Sequence, residues 1–348
     1  MMLFRTCTAV LIALSAFSSH AQQFYRLESA VTLKSEAPDW DYVALDAARG
    51  RLFIGQRADG ALVYDLASRK AIGTIERSED AGAIALVDEF DRGYTTNGDG
   101  STTVFQLSTL KTIDRIKFGE DADAAVYDPA TKQLAFMMGD SKEIAFLDAR
   151  TGSVVGKLKM ESKKLDGSAP DGEGNLFIAE RDRNAVARVD LRQRKVTAEW
   201  KTTSCEEPTG LAFDRAHKRI FVGCRGKSPV LAVLDSDSGK VIATVEIGRG
   251  NDGVVYDAET HKIYTSNGLD ANLVIYDQVD ADTYKLAEAA MTRPNARTMA
   301  LDPKTKKVYL VTAEGTVDPA KKMNRAVSPF YANRYFPGTF TLLTYARM

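Results

Sequence analysis

The sequence is poor in the side chains that most often carry chemistry. Its 348 residues include three histidines and three cysteines. His20 and Cys7 fall in an amino-terminal segment that reads as removable, which leaves His217, His261, Cys205 and Cys224. Both remaining histidines sit in turns at the end of the fold opposite the acidic cluster described below. That placement argues against a serine–histidine–acid hydrolase and against zinc or copper held by imidazole. A Cys-x-x-Cys-His haem motif, a phosphate-binding loop and a dinucleotide fingerprint are all missing. Neither sign of charge dominates, with 46 basic residues against 47 acidic ones. A nucleic-acid-coating protein carries a basic excess, so nucleic acid is not the expected partner.

Long apolar runs are missing too. Residues 1–21 read as a secretory signal peptide: Arg5 supplies the charge, residues 9–17 the apolar stretch, and Ser19-His20-Ala21 a small-x-small cleavage site. The stretch is too short to span a membrane, and no later one approaches the ~20 residues needed. Cys7 precedes the apolar stretch rather than marking the cleavage point, which argues against a lipid anchor. The chain is therefore expected to be periplasmic or secreted after cleavage near Ala21, not membrane-spanning, and monomeric. In an oxidising compartment the pair Cys205 and Cys224 suggests a disulfide, with two buried thiols as the alternative.

What the sequence does have is repetition. An aspartate closes the first strand of each unit, at Asp46, Asp88, Asp128, Asp171, Asp214, Asp257 and Asp302, at spacings of 40 to 45 residues. A second series, Asp65, Gln106, Asp148, Asp190, Asp235 and Asp277, runs in step with it. Apolar runs rich in Val, Ile and Phe, cut by Asp and Gly turns, predict antiparallel strands. A period near forty with four strands per unit is the signature of a β-propeller. The expected fold is all-β and seven-bladed, a single domain over residues 22–348. Its blades lie near 40–77, 81–118, 121–160, 164–202, 207–248, 251–290 and 296–348 plus 24–34. The last unit lacks a fourth strand and the amino terminus has an unmatched one, so the amino-terminal strand is expected to close the ring and cover the open edge. The repeated aspartates are read as turn openers.

The second strands carry GYTTNG from Gly93, IYTSNG from Ile263 and VYLVTA from Val308. These resemble the Tyr-Val-Thr-Asn repeat of the YVTN family of seven-bladed propellers, over residues 24–348. The resemblance implies an exported protein. More distant propellers act as lactonases or as large subunits of periplasmic oxidoreductases, and some YVTN relatives are linked to DNA binding.

Five residues before each first-strand aspartate, at the mouth of the channel, stand Asp41, Ala83, Asp123, Asp166, Thr209, Asp252 and Arg297. Second strands end on the same face with residues that include Glu180 and Asn267, and Arg57, Arg181 and Arg225 follow three of them. Crowded carboxylates raise one another's pKa unless a cation intervenes. The counter-charge could be Arg297 with Arg181 or Arg57. Alternatively a divalent cation could sit among Asp41, Asp123, Asp166 and Asp252, where oxygen ligands alone would select Ca²⁺ or Mg²⁺. The candidate ligand-binding set is thus Asp41, Arg57, Asp123, Asp166, Glu180, Arg181, Asp252, Asn267 and Arg297. Catalytic residues are not identifiable.

A long loop in the last unit, residues 313–338, carries Arg325, Phe330, Tyr331, Arg334 and Tyr335 toward the same face. Loops of that length are usually functional or disordered, and this one reads either as a lid or as aromatic packing onto the blade. The leading expectation is a binding or scaffold protein that recognises a protein, peptide or small ligand on the channel face. The alternatives are a Ca²⁺- or Mg²⁺-dependent lactonase-like hydrolase and a docking subunit of a periplasmic oxidoreductase.

Overall fold

A computed structural model describes residues 23–323, 328 and 331–348. The segment 1–21 read as a signal peptide, and Arg325 and Phe330 of the long loop, lie outside the described residues. The described chain folds into seven four-stranded antiparallel sheets and one two-stranded ladder. This is a seven-bladed β-propeller, as the repeat predicts. No helix among the described residues is long and apolar enough to cross a membrane.

Six blades are built from consecutive strands. The seventh has the order Tyr25–Thr32, Thr341–Arg347, Val308–Thr312, Met299–Leu301 from rim to channel. The amino-terminal strand pairs antiparallel with the carboxy-terminal one, from Tyr25 opposite Arg347 to Thr32 opposite Thr341. The ring is closed as expected. Seven hydrophobic clusters fill the seven gaps between blades, and the one at the seam joins Leu33, Trp40 and Ile54 to Tyr309, Val311 and Phe340. Closure is therefore both hydrogen-bonded and apolar, and neither end of the sheet series offers a bare edge to a neighbour.

The repeated aspartates are turn residues. Buried carboxylates of Asp46, Asp128, Asp171, Asp214 and Asp257 accept backbone N–H groups two to four residues ahead, and Asp302 does the same. Each replaces a lost ladder bond where the chain reverses. Asp88 departs from the set. It opens a short 3-10 turn, Asp88–Phe90, and pairs with Arg49 of the preceding blade at 2.6 Å.

Cys205 and Cys224 form a disulfide. It ties the loop before the inner strand of the fifth blade to the end of the next strand, beside Arg225.

Candidate functional site

Inner strands line the channel, and six of the seven share a defect at their mouth. Pairing with the second strand slips at Trp40/Val43, Ala81/Ile84, Ala122/Ala124, Leu165/Ser168, Pro208/Leu211 and Asn251/Gly253. A β-bulge leaves a residue unpaired and re-aims its side chain. Here the bulged residues include Asp41, Ala83, Asp123, Asp166, Thr209 and Asp252, the positions five before each turn aspartate. The repeat thus places one freely aimed side chain per blade on the axis.

The four aspartates among them border a cavity of about 280 Å³ lined by Asp41, Tyr42, Asp123, Asp166, Arg181 and Arg225, together with Asp252, Arg297 and Tyr331. This lies just below the range of roughly 300–1,000 Å³ that small-molecule sites occupy. Tyr42 packs against the cluster between the third and fourth blades. Reaching there from the first blade, it crosses the channel and forms its floor. Burial pushes its phenol well up, with Asp166, Asp41 and Asp123 adding to the effect.

Carboxylates and guanidiniums pair along the wall. Arg57 Nη2 lies 2.7 Å from Asp41 Oδ2 and 3.0 Å from Asp123 Oδ1, spanning from the first blade to the third. It passes over Gly82, where a Cβ would stand 3.4 Å from Arg57 Nη2 and 3.1 Å from Thr96 Oγ1. The bare backbone leaves that corridor open. Asp80 lies 3.8 Å from Arg57 Nη1. Across the channel Asp252 is shared by two cations, Arg225 through Oδ1 and Arg297 through Oδ2, the latter at 2.7 Å. Arg181 stands 3.7 Å from both Asp166 and Glu207. It also borders a second, more open cavity lined by Lys164, Asp182, Glu207 and Lys322.

Burial decides the ionisation here. It raises Asp41 to about 6, with Asp123 reinforcing it against Arg57 and Arg297. Burial also raises Asp166 to about 6, against Arg225. Arg225 is pushed down to about 10 by burial, with Arg181 and Arg297 as like charges nearby. Arg57 is held above its ordinary value because Asp41 and Asp123 outweigh the effect of burial. Perturbed groups gathered in one concavity mark functional-site candidates.

Glu180 and Asn267 are placed differently. The last residues of all seven second strands, Gln56, Asn97, Met138, Glu180, Cys224, Asn267 and Thr312, are at most 4% exposed. They point into the blade stack, one layer behind the wall. Asn267 bonds Asn272 and Thr265, and Asn251 donates to it. Glu180 has Arg183 at 3.6 Å. The next residue along the chain reaches the channel: Arg57, Arg181 and Arg225 all occupy that position. Arg225 and Tyr42 complete the wall beyond the candidate set. Arg225 shares its repeat position with Arg57 and Arg181, and that is the signal that could have found it.

The long loop of the last blade is pinned at both ends. Gly315–Thr316 pairs with Arg334–Tyr335, a two-residue ladder within what reads as a loop. Tyr335 stacks edge-on against Trp40, ring centroids 4.8 Å apart. Tyr331 reaches the cavity rim, where its hydroxyl accepts from Arg297 Nη1 at 3.3 Å. Arg334 instead faces Asp318 within the loop at 3.5 Å.

Among the described residues no three His, Cys, Asp or Glu side chains converge in a metal-holding arrangement. The space between Asp41 and Asp123 is taken by the Arg57 guanidinium, which supplies the counter-charge from the protein itself.

Fold and site together define a seven-bladed propeller with a charged pocket at its channel mouth. No family model matches the chain. It is similar to the uncharacterized protein YncE of Salmonella typhi and of Salmonella typhimurium, 24% identical over 191 residues, 53% of this chain and 53% of each relative. The chain thus matches about half the length of these curated relatives. Among solved structures it resembles a chain of Kuenenia stuttgartiensis hydrazine synthase (TM-score 0.69, 15% identity, 80% of this chain and 94% of that one). It also resembles a chain of the mitotic checkpoint complex (TM-score 0.72, 14% identity, 88% and 95%) and the WD40 repeats of RRP9 (TM-score 0.74, 7% identity, 93% and 100%). At such identities the likeness is one of fold.

Proposed function

We propose that this chain is an exported binding protein of the YVTN type that holds a small charged ligand, or the charged tip of a partner, in the cavity at its channel mouth. Fold alone carries no activity, so the reading rests on the site. The observation that carries it is the convergence of four aspartates and three arginines on one small cavity rimmed by Tyr331, with Arg57 paired to two of those aspartates. Burying that many ions costs stability unless they are paired and solvated, and a ligand-binding role explains why the cost is borne at one place. The signal-like segment 1–21 supports export to the periplasm or beyond.

The reading stands ahead of the metal-dependent hydrolase because the carboxylates are matched by guanidiniums within the wall. It stands ahead of the oxidoreductase docking subunit because the charged groups converge on one small cavity at the channel mouth rather than spreading over a broad surface.

The test is thermal unfolding of the mature chain against a panel of charged metabolites, with Ca²⁺ and Mg²⁺ as separate arms. A ligand at a hundredfold excess over its Kd stabilises the folded state by roughly 2.7 kcal/mol. Stabilisation by a charged organic molecule, lost in Arg225→Gln, supports the reading. Stabilisation by Ca²⁺ or Mg²⁺ alone, lost in Asp123→Asn, would replace it with the hydrolase.

A further inference from the structure

The cavity is balanced in total charge but not in its distribution. On the side of the first three blades, the single guanidinium of Arg57 serves Asp41 at 2.7 Å, Asp123 at 3.0 Å and Asp80 at 3.8 Å. Carboxylate outnumbers cation there. On the side of the last three blades the ratio inverts, since Arg225 and Arg297 share the one carboxylate of Asp252. The channel-mouth positions of the second and fifth blades, Ala83 and Thr209, are uncharged. Asp166 and Arg181 stand 3.7 Å apart, beyond hydrogen-bond range, and among the described residues no donor bonds the Asp166 carboxylate. A dipole therefore runs across the floor laid by Tyr42.

From this we infer that the cavity is a zwitterion site, taking a small molecule that carries a carboxylate and an ammonium group, such as an amino acid or a dipeptide. Its carboxylate lies toward Arg225 and Arg297 and its ammonium toward Asp41, Asp123 and Asp166. The inference rests on the reading of the cavity as a ligand site and names the ligand class.

The geometry selects for both charges together. A monoanion drawn to Arg225 and Arg297 meets the carboxylates of the facing wall, and a monocation drawn to Asp41 and Asp123 meets the guanidiniums. A guest with both charges relieves the excess on each side. Planar guanidinium forks suit a carboxylate, and an ammonium brings three donors to carboxylates that still have lone pairs to offer. The volume of about 280 Å³ admits a molecule of this size and excludes a long peptide. Arg225 gives Nε to the Asn251 carbonyl and Nη2 to Asp252, and a guanidinium has five N–H donors in all.

Isothermal titration of the mature chain at low ionic strength and neutral pH tests this. The probes are glycine, glycylglycine and lysine, against the single-charge controls acetate, methylammonium and inorganic phosphate. The expected result is binding of at least one zwitterion, with the single-charge controls weaker by roughly tenfold or more, since each of them lacks the charged hydrogen bonds to one of the two facing walls. Asp123→Asn should weaken the zwitterion by roughly tenfold and narrow its advantage over acetate. Acetate or phosphate binding as tightly as the zwitterions would overturn the inference in favour of an anion site. Equal binding of methylammonium would overturn it in favour of a cation site. Either outcome leaves the cavity a ligand site. Silence from every probe would also overturn it, and the metabolite screen then decides whether the cavity binds anything. The comparison of probes on the unaltered chain needs no variant, so a misfolded substitution does not blunt it.

Discussion

The guanidinium of Arg297 lies 5.3 Å from the centre of the Trp40 ring and donates to the Trp40 carbonyl at 2.8 Å. The two residues belong to the last and the first blade, so this contact crosses the seam of the ring. Arg297 also holds Asp252 from the sixth blade. One side chain thus joins closure of the fold to construction of the cavity.

Replacing Arg297 should reveal both roles. Arg297→Ala is expected to lose about 2–4 kcal/mol, from a cation–π contact of roughly 0.5–1 and a charged hydrogen bond of roughly 1.5–3. Arg297→Lys keeps the charge but not the planar fork and should fall between. Denaturant titration measures both. An Arg297→Ala chain as stable as the original would show that the seam does not depend on this residue.

Glu180 predicts a pH effect of unusual sign. Burial raises its carboxyl to about 7, with Glu199 adding to the rise, and its Oε2 has no hydrogen-bond partner. The folded chain therefore holds this proton more tightly than the unfolded one. Its contribution to stability is greatest below about pH 4.5 and is lost as pH rises through about 7. Glu180→Gln should then melt higher than the original chain at pH 8 by the equivalent of about 1–3 kcal/mol, since each tenfold difference in proton affinity between the folded and unfolded chain is worth about 1.4 kcal/mol. At pH 4 it should show no gain. A gain that does not vary with pH would contradict this account.

The disulfide stabilises both fold and site. Cys205 and Cys224 are 19 residues apart, and closing a loop of that size is worth about 3 kcal/mol in the chain-entropy account. Beside it, Arg225 N donates to the Glu207 carbonyl at 3.1 Å, so the bridge also steadies the backbone that presents Arg225. The Cys205→Ser/Cys224→Ser chain should melt lower and bind ligand more weakly. Unchanged melting would mean that the packing around these residues suffices.

Removing residues 23–33 would strip the outer strand from the last blade and uncover Thr341–Arg347 as an edge. Exposed edges pair with other chains. The truncated chain should lose its single cooperative transition and associate in solution, which light scattering would detect. A monomeric, cooperatively folding product would show that the apolar seam closes the ring unaided.

Most of the architecture was legible because propeller blades repeat. The turn aspartates set the period, and the unpaired strands at the two ends implied closure. Placement of Asp41, Asp123, Asp166, Asp252 and Arg297 at one mouth followed from the same register. What escaped was the third dimension of individual side chains. Arg57 crosses from the first blade to Asp123 because Gly82 clears its path, and Tyr42 traverses the channel; neither trajectory has a sequence period. Asn267 and Glu180 share the repeat position that faces the blade stack, while the arginine one residue past Glu180 turns to the channel. In the long loop, a ladder of two residue pairs is too short to leave an alternating pattern.

Nuclear magnetic resonance of the arginine Nε–Hε groups, during titration with pooled amino acids, small peptides, polyamines and carboxylates, reads ligand binding at the channel mouth residue by residue. The signals of Arg57, Arg181, Arg225 and Arg297 should move together and saturate, while those of Arg49, in a turn, and Arg219, at the start of a strand, both at the far end of the blades, stay fixed. Stationary cavity signals, or shifts confined to arginines outside the channel, would contradict the assignment of this cavity as the binding site.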